Sequence, residues 1–231
     1  MAANLILTGG PGHHPYAVTS ERLAEILAGE GIASTVTEDI ESGLGKLAAG
    51  AFDLLTVNAL RWRMDAPKYA AERPQWAFSL SPAGRAAIVD HVARGGAVLA
   101  VHTATICFDD WPEWGDIVGA RWVWGESAHP DLGPVRVAVR PDAHEIVSRA
   151  SDFQTVDEIY SRMWLAPDVR ALATGHWEGA DHPLLWARTV GPAGARSVYD
   201  ALGHDERSYD QPVHREILRR AARWLVEGSG T

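Results

Sequence analysis

The sequence predicts an α/β protein with a doubly wound, mainly parallel sheet and helices on both of its faces. Strand and helix patterns alternate from residue 4 to residue 102, as they do in repeated βαβ units. Residues 95–104, GGAVLAVHTA, contain an apolar run without alternation, which is typical of a strand covered on both faces. Histidines follow this strand and two others, and parallel sheets bind ligands at the carboxyl ends of their strands. We therefore expect imidazoles from distant parts of the chain to meet at one edge of one sheet.

The first half of the chain is predicted to contain four strands separated by helices. The strands are expected at 4–10, 32–37, 52–60 and in the run that ends at His102. Helices are expected over 19–31, over a short segment at 43–49, and from Ser81-Pro82 to the glycines at 95–96. Serine is a favoured helix N-cap and proline a favoured first helical residue. The connection 61–80 has no clear period, and long connections of this kind are often functional.

The second half is predicted to be richer in strands. Strands are expected at 134–140, 171–177, 184–189 and 195–202, with the turn of a hairpin at 192–194. A final amphipathic helix begins at Pro212. The chain shows no break in composition and no internal repeat. We therefore predict one domain over residues 1–231, with a strand-rich C-terminal extension.

Composition excludes several classes of partner. The 231 residues are 46% hydrophobic and 22% charged, which is enough for a sizeable core. The net charge of −9 argues against nucleic acid as the main partner, and no apolar run approaches the ~20 residues that span a bilayer. The single cysteine, Cys107, allows no intrachain disulfide, and no signal peptide is evident. We expect a cytoplasmic protein with a small-molecule ligand. The ten tryptophans are compatible with core packing, with sugar stacking and with self-association as a homo-oligomer.

His102 follows its strand at a turn where other α/β enzymes carry a nucleophile. In α/β-hydrolases this turn has the pattern Gly-x-Ser-x-Gly. Residues 100–104 are AVHTA, with neither a serine or cysteine nor the two glycines. A Ser-His-Asp or Cys-His mechanism is therefore disfavoured. Cys107 lies five residues beyond His102, and we interpret it as a small buried apolar residue.

Other polar side chains follow strand ends or turns. His14 precedes a proline, His129 precedes another, and His204 follows a glycine that allows a tight turn. In a strand, Glu158 and Tyr160 would share a face and the neighbouring aspartate would point away, so we favour Glu158. Imidazoles with a carboxylate suit a divalent ion such as zinc or manganese, and they equally suit proton transfer near neutral pH. The spacing contains no short metal motif, and both alternatives stay open.

Several of these pieces together resemble the ThuA-like (trehalose-utilisation) family. The matching segments are the loop at His14, residues 95–102, 111–130, 157–160, 201–205 and the closing helix to Trp224. The resemblance implies a class I glutamine-amidotransferase-like, flavodoxin-like fold that lacks the amidotransferase cysteine and has a histidine at the elbow. It also implies a role in disaccharide or glycoside catabolism, often beside oxidoreductases that make 3-keto sugars. Where the family often has His-Asp followed by an aromatic, this chain has HHPY at 13–16.

We therefore expect an enzyme that acts on a (3-keto) glycoside by hydrolysis or elimination, and not a cysteine-dependent amidotransferase. The residues assigned to catalysis are His102, His204 and Glu158. Those assigned to substrate binding are His14, Trp111, Trp114, His129 and Tyr160. If a metal is bound, its expected ligands are His102, His129 and His204. The alternative is a non-catalytic sugar-binding or regulatory protein on an amidotransferase-like scaffold.

Overall fold

The computed structural model describes residues 1–12 and 14–227, so His13 lies outside the described residues. One nine-stranded sheet forms its centre. Five strands of this sheet are parallel, in the spatial order β2-β1-β3-β4-β11. They are β1 (Ala2–Gly9), β2 (Ile32–Thr37), β3 (Leu54–Ala59), β4 (Ala97–Val101) and β11 (Ala195–Asp200). All residues of β3 and β4 are buried, as expected for central strands of a parallel sheet.

The second half of the chain continues the same sheet with antiparallel pairing. From β11 outward the order is β10-β9-β6-β7, and these strands are β6 (Gly133–Val139), β7 (Phe153–Asp157), β9 (Ala173–Trp177) and β10 (Ala180–Val190). The predicted hairpin between β10 and β11 is present. A second, two-stranded sheet pairs β5 (Ala120–Arg121) with β8 (Trp164–Leu165). The sequence does not predict it, because two-residue strands are too short to show alternation.

The helices form two groups. One contains α1 (Tyr16–Ala28), α6 (Glu206–Asp210) and α7 (Pro212–Glu227), and the other contains α2 (Ile40–Ala48) and α4 (Pro82–Ala93). Two further helices, α3 (Arg73–Trp76) and α5 (Pro112–Val118), lie in loops that follow β3 and β4. Helix α2 begins earlier than predicted because Asp39 caps it, accepting a hydrogen bond from the Ser42 amide at 3.0 Å. Within the described ranges, no helix has the length and apolar character of a bilayer-spanning segment.

Candidate functional site

A cleft of about 380 Å³ opens beyond the carboxyl ends of the parallel strands. Its volume lies in the range of about 300–1,000 Å³ that is usual for small-molecule sites. The polar residues that line it include His14, Thr103, His129, Glu158, Tyr160 and His204. Five of the eight predicted site residues therefore share one cleft, although they come from distant parts of the chain. Parallel topology explains this, since it places the loops after β1, β4 and β11 at one edge of the sheet.

Glu158 lies at the centre of the imidazoles. Its Oε1 is 3.2 Å from His129 Nδ1 and 3.8 Å from His204 Nε2, and its Oε2 is 3.6 Å from His102 Nε2. Only 6% of Glu158 is exposed, so its carboxylate lies in a largely desolvated environment with imidazoles around it. Such a group is suited to accept or orient protons for the rings beside it.

His14 and His204 complete a compact set of donor atoms with Glu158. One ligand atom from each of the three residues lies within 4.8 Å of the other two. The rings of His14 and His204 are 4.4 Å apart at their centroids. His204 Nδ1 is buried and has no hydrogen-bond partner among the described residues. Two imidazoles and a carboxylate are a usual donor set for zinc or manganese, so these residues fit such an ion.

His102 lies beneath the cleft and does not line it. The residue is 1% exposed and has a φ of +49°, a strained conformation for a residue other than glycine. Its Nδ1 is 2.8 Å from the carbonyl oxygen of Ala201, which can only accept, so Nδ1 carries the proton. Its Nε2 therefore accepts a hydrogen bond from the Tyr160 hydroxyl at 3.2 Å. Burial lowers the pKa of His102 to about 3 and keeps the ring neutral. The neutral ring therefore contacts the cleft through one hydrogen bond, to Tyr160, and its Nε2 has no proton to donate to Glu158.

Tyr160 and His129 form one wall of the cleft. Their segments are joined by a bridge between Ala128 and Ser161, in which each amide donates to the other residue's carbonyl at 3.3 and 2.9 Å. The hydrogen bond to Glu158 raises the pKa of His129, despite partial burial. Burial raises the pKa of Tyr160 well above its usual value, so its hydroxyl stays protonated. The wall therefore presents an imidazole beside a carboxylate and a phenol held in one orientation.

Asp157 connects the loop that carries Glu158 to the loop that carries His204. Its Oδ1 accepts from the Glu158 amide at 2.9 Å, and its Oδ2 accepts from the Gly203 amide at 2.7 Å. Burial raises the pKa of Asp157 to about 7. Strand β7 ends at Asp157, so the alternation expected over Glu158 and Tyr160 does not occur. Both side chains still reach the cleft, while Asp157 supports them from below.

A buried ion pair between Asp200 and His214 holds the segment that leads into the His204 loop. His214 Nε2 is 2.6 Å from Asp200 Oδ2, and His214 Nδ1 is 2.8 Å from the carbonyl oxygen of Ser208. Both ring nitrogens therefore donate, which describes an imidazolium. Burial lowers the pKa of His214, but the Asp200 carboxylate outweighs it and the net pKa is raised. Asp200 Oδ1 also accepts from the Leu202 amide at 3.0 Å, so the pair holds the backbone that leads to His204.

This pair predicts a loss of stability in alkaline solution. Because the folded-state pKa of His214 is raised, its contribution is complete below the unfolded pKa of about 6.5 and is lost as pH rises through the folded value. We expect roughly 1.4 kcal/mol of loss for each unit by which the pKa is raised. Urea unfolding at pH 6 and pH 9 measures it. The uncharged pair Asp200→Asn/His214→Gln is the control, and an equal pH dependence in both proteins would contradict an imidazolium at His214.

Trp111 and Trp114 lie in the hydrophobic core and not on the cleft. They are 5% and 1% exposed, and Trp114 Nε1 donates to the carbonyl of Ala104 at 2.8 Å. The tryptophans that do line the cleft are Trp62, Trp122 and Trp124. None of these three is among the predicted site residues. The proline at the start of α5 marks where the helix begins, but it does not indicate which tryptophans are buried.

Comparisons with known proteins agree with this architecture. A family model described as "ThuA: Trehalose utilisation" matches residues 4–225. A ThuA-like protein of Parabacteroides merdae is 20% identical, with a TM-score of 0.73 over 100% of this chain and 91% of its own. A ThuA-like protein of Bacteroides uniformis is 18% identical, with a TM-score of 0.69 over 97% and 91%. A glutamine amidotransferase of Thermotoga maritima shares the fold at 10% identity, with a TM-score of 0.54 over 98% and 99%. No curated protein sequence matches the chain.

Proposed function

Because this chain belongs to the ThuA (trehalose utilisation) family, we propose that it cleaves a 3-keto glycoside by proton transfer at the histidine cluster. The observation that carries the proposal is the position of Glu158, which stands within 4 Å of three imidazoles in a cleft of ligand size. A group surrounded in this way is suited to proton transfer and not to structural pairing alone. The family description supports a sugar as the small molecule.

A ketone at C3 makes the hydrogen on C2 acidic. One group of the cluster removes this proton, and the electron pair forms a C1=C2 double bond as the C1–O bond breaks. A second group gives a proton to the departing alcohol oxygen. Water then adds to the double bond and restores a 3-keto sugar, so the net reaction is hydrolysis. The pair His129 and Glu158, 3.2 Å apart, stands at the cleft wall where both proton transfers occur.

Tyr160 and His204 supply the remaining contacts to the sugar. Since the Tyr160 hydroxyl donates to His102, its oxygen is left as an acceptor for a substrate hydroxyl. His204 lines the cleft beside His14, and its Nε2 lies 3.8 Å from Glu158 Oε1. A divalent ion held by His14, Glu158 and His204 would polarise the substrate carbonyl.

The proposal is tested with a 3-keto disaccharide in D₂O. We expect release of a monosaccharide and incorporation of deuterium at C2 of the 3-keto product, because water returns the proton that was removed. Glu158→Gln should lower turnover by about 10²- to 10⁴-fold, the usual contribution of a positioned proton-transfer group. His176→Ala is the matched control, since that exposed histidine pairs with Asp181 away from the cleft.

Metal binding is measured separately from turnover. Elemental analysis should find zinc or manganese in the purified protein, and His14→Ala and His204→Ala should each weaken binding at least tenfold while His176→Ala does not. Binding of disaccharides without turnover or deuterium exchange by the metal-loaded protein would overturn the enzymatic proposal. The aromatic lining of the cleft would then favour the sugar-binding alternative.

A further inference from the structure

The cleft that holds the histidines, His14, His129 and His204, adjoins a second cavity. This second cavity has a volume of about 440 Å³ and shares Trp62, Tyr69 and Trp124 with the cleft. We refer to these three aromatic residues with Lys68 as the aromatic half, and we call the part lined by the histidines the histidine half. Trp122 joins the two halves, because its ring centroid lies 5.3 Å from Tyr160 and 6.4 Å from Trp124. A chain of aromatic ring contacts thus leads from Tyr160, beside the proposed reaction centre, through Trp122 to Trp124.

The rings of the aromatic half are held in place by the protein. Trp124 Nε1 donates to Asp109 Oδ2 at 3.1 Å, and the Trp62 ring meets Tyr69 edge-on at 5.1 Å. The planes of Trp62 and Trp124 differ by 26°, with their centroids 6.3 Å apart. Trp124 is nevertheless 43% exposed, so part of a fixed indole is open to solvent. A fixed ring loses little conformational entropy when a ligand stacks on it.

Charged groups border these aromatic faces. The cavity is also lined by Lys68 and Asp65, and the Lys68 ammonium lies 4.8 Å from the centre of the Tyr69 ring. A pyranose ring has an apolar face of C–H groups and an edge of hydroxyls. It would therefore find a stacking surface and hydrogen-bond partners together here, whereas an alkyl group would use only the apolar surface.

We propose that the aromatic half is the subsite for the second sugar ring of the substrate, with Trp124 as its specificity-determining residue. The inference rests on the proposed function, which places the reacting ring among the histidines. The scissile bond then lies beside Trp122, between the two halves. The preferred substrate is a disaccharide, and a glycoside with a small alkyl group leaves the aromatic half unused.

The test compares two substrates, a 3-keto disaccharide and methyl 3-keto-glucoside. The quantity compared is kcat/KM for the disaccharide divided by kcat/KM for the methyl glycoside. Trp124→Ala should lower this ratio at least tenfold, whereas Trp124→Phe should keep most of the preference for the disaccharide. Trp177→Ala is the control, because Trp177 lies beside Arg162 and His182 outside the cleft. An unchanged ratio in Trp124→Ala overturns the subsite.

Calorimetric binding separates this inference from the proposed function. Wild-type protein should bind trehalose more tightly than glucose. Trp124→Ala should reduce the ratio of the glucose Kd to the trehalose Kd at least tenfold, whether or not any sugar is turned over. If the 3-keto substrates are inert but this preference is found, the reaction fails and the subsite stands. If trehalose and glucose bind equally to the wild type, the subsite fails even where turnover is observed.

Discussion

His102→Asn is expected to lower kcat by about 10²-fold with little change in KM. Asparagine tolerates the positive φ of this position, and its amide group replaces the ring nitrogen that donates to the Ala201 carbonyl. It removes the nitrogen that accepts from Tyr160 and faces Glu158 at 3.6 Å. The histidines and Glu158 that line the cleft stay in place, while the phenol loses the acceptor that orients it. Steady-state kinetics with a 3-keto disaccharide measure the effect.

A double-mutant cycle distinguishes positioning from a general loss of structure. Tyr160→Phe should lower kcat and also raise KM, because it removes a substrate contact together with the hydrogen bond to His102. His102→Asn/Tyr160→Phe should then be little worse than Tyr160→Phe alone, because the His102 substitution acts through that same hydrogen bond. Thermal unfolding of each variant provides the folding control. Additive losses of kcat in the double variant, or a raised KM with normal kcat in His102→Asn, would be inconsistent with a positioning role for His102.

Gly203→Ala is expected to destabilise the protein by about 3 kcal/mol, from strain and overpacking together. Gly203 has a φ of +118°, which L side chains rarely adopt. An added Cβ would lie 3.0 Å from Tyr209 Cζ and from Val101 Cγ1, and closer still to the Tyr209 hydroxyl. Because the Gly203 amide donates to Asp157, the substitution should also displace the loop that carries His204. Urea unfolding and turnover measured on the same samples test both effects.

Two further variants separate strain from crowding. Gly179 also has a positive φ, of +77°, but no atom lies within 4 Å of the position a Cβ would take. Gly179→Ala should therefore cost only the conformational strain, about 1 kcal/mol. Tyr209→Phe should partly rescue Gly203→Ala, and alone it should cost little because the hydroxyl has no hydrogen-bond partner among the described residues. Equal losses for the two glycine variants would rule out crowding at Gly203.

The parallel half of the fold could be predicted because its signals are local. Apolar runs bounded by glycine and proline define β3, β4 and α4 within a few residues. The two-residue strands β5 and β8 and the five-residue helix α6 are too short to produce a period. The antiparallel direction of β6, β7 and β9 depends on pairing between distant segments, which composition and periodicity do not encode.

The candidate site was predicted in its members more than in their roles. His14 and His129 each precede a proline and His204 follows a glycine, and the sheet topology then brings all three to one edge of the sheet. Glu158 was favoured from strand alternation, but it reaches the cleft because β7 ends one residue earlier. Trp111 and Trp114 were predicted to line the site, whereas Trp122 and Trp124 were not. The sequence does not indicate which of these indoles are buried in the core.

The sequence by itself determined which strands are buried and which residue types stand at their carboxyl ends, because both follow from patterns within short segments. Only the tertiary structure decided that His102 lies under the cleft, that His14, Glu158 and His204 form the compact donor set, and that Trp62 and Trp124 continue the cleft. The burial of a residue, and its distance from residues far away in the chain, depend on how all the intervening side chains pack. A local sequence pattern does not contain that information.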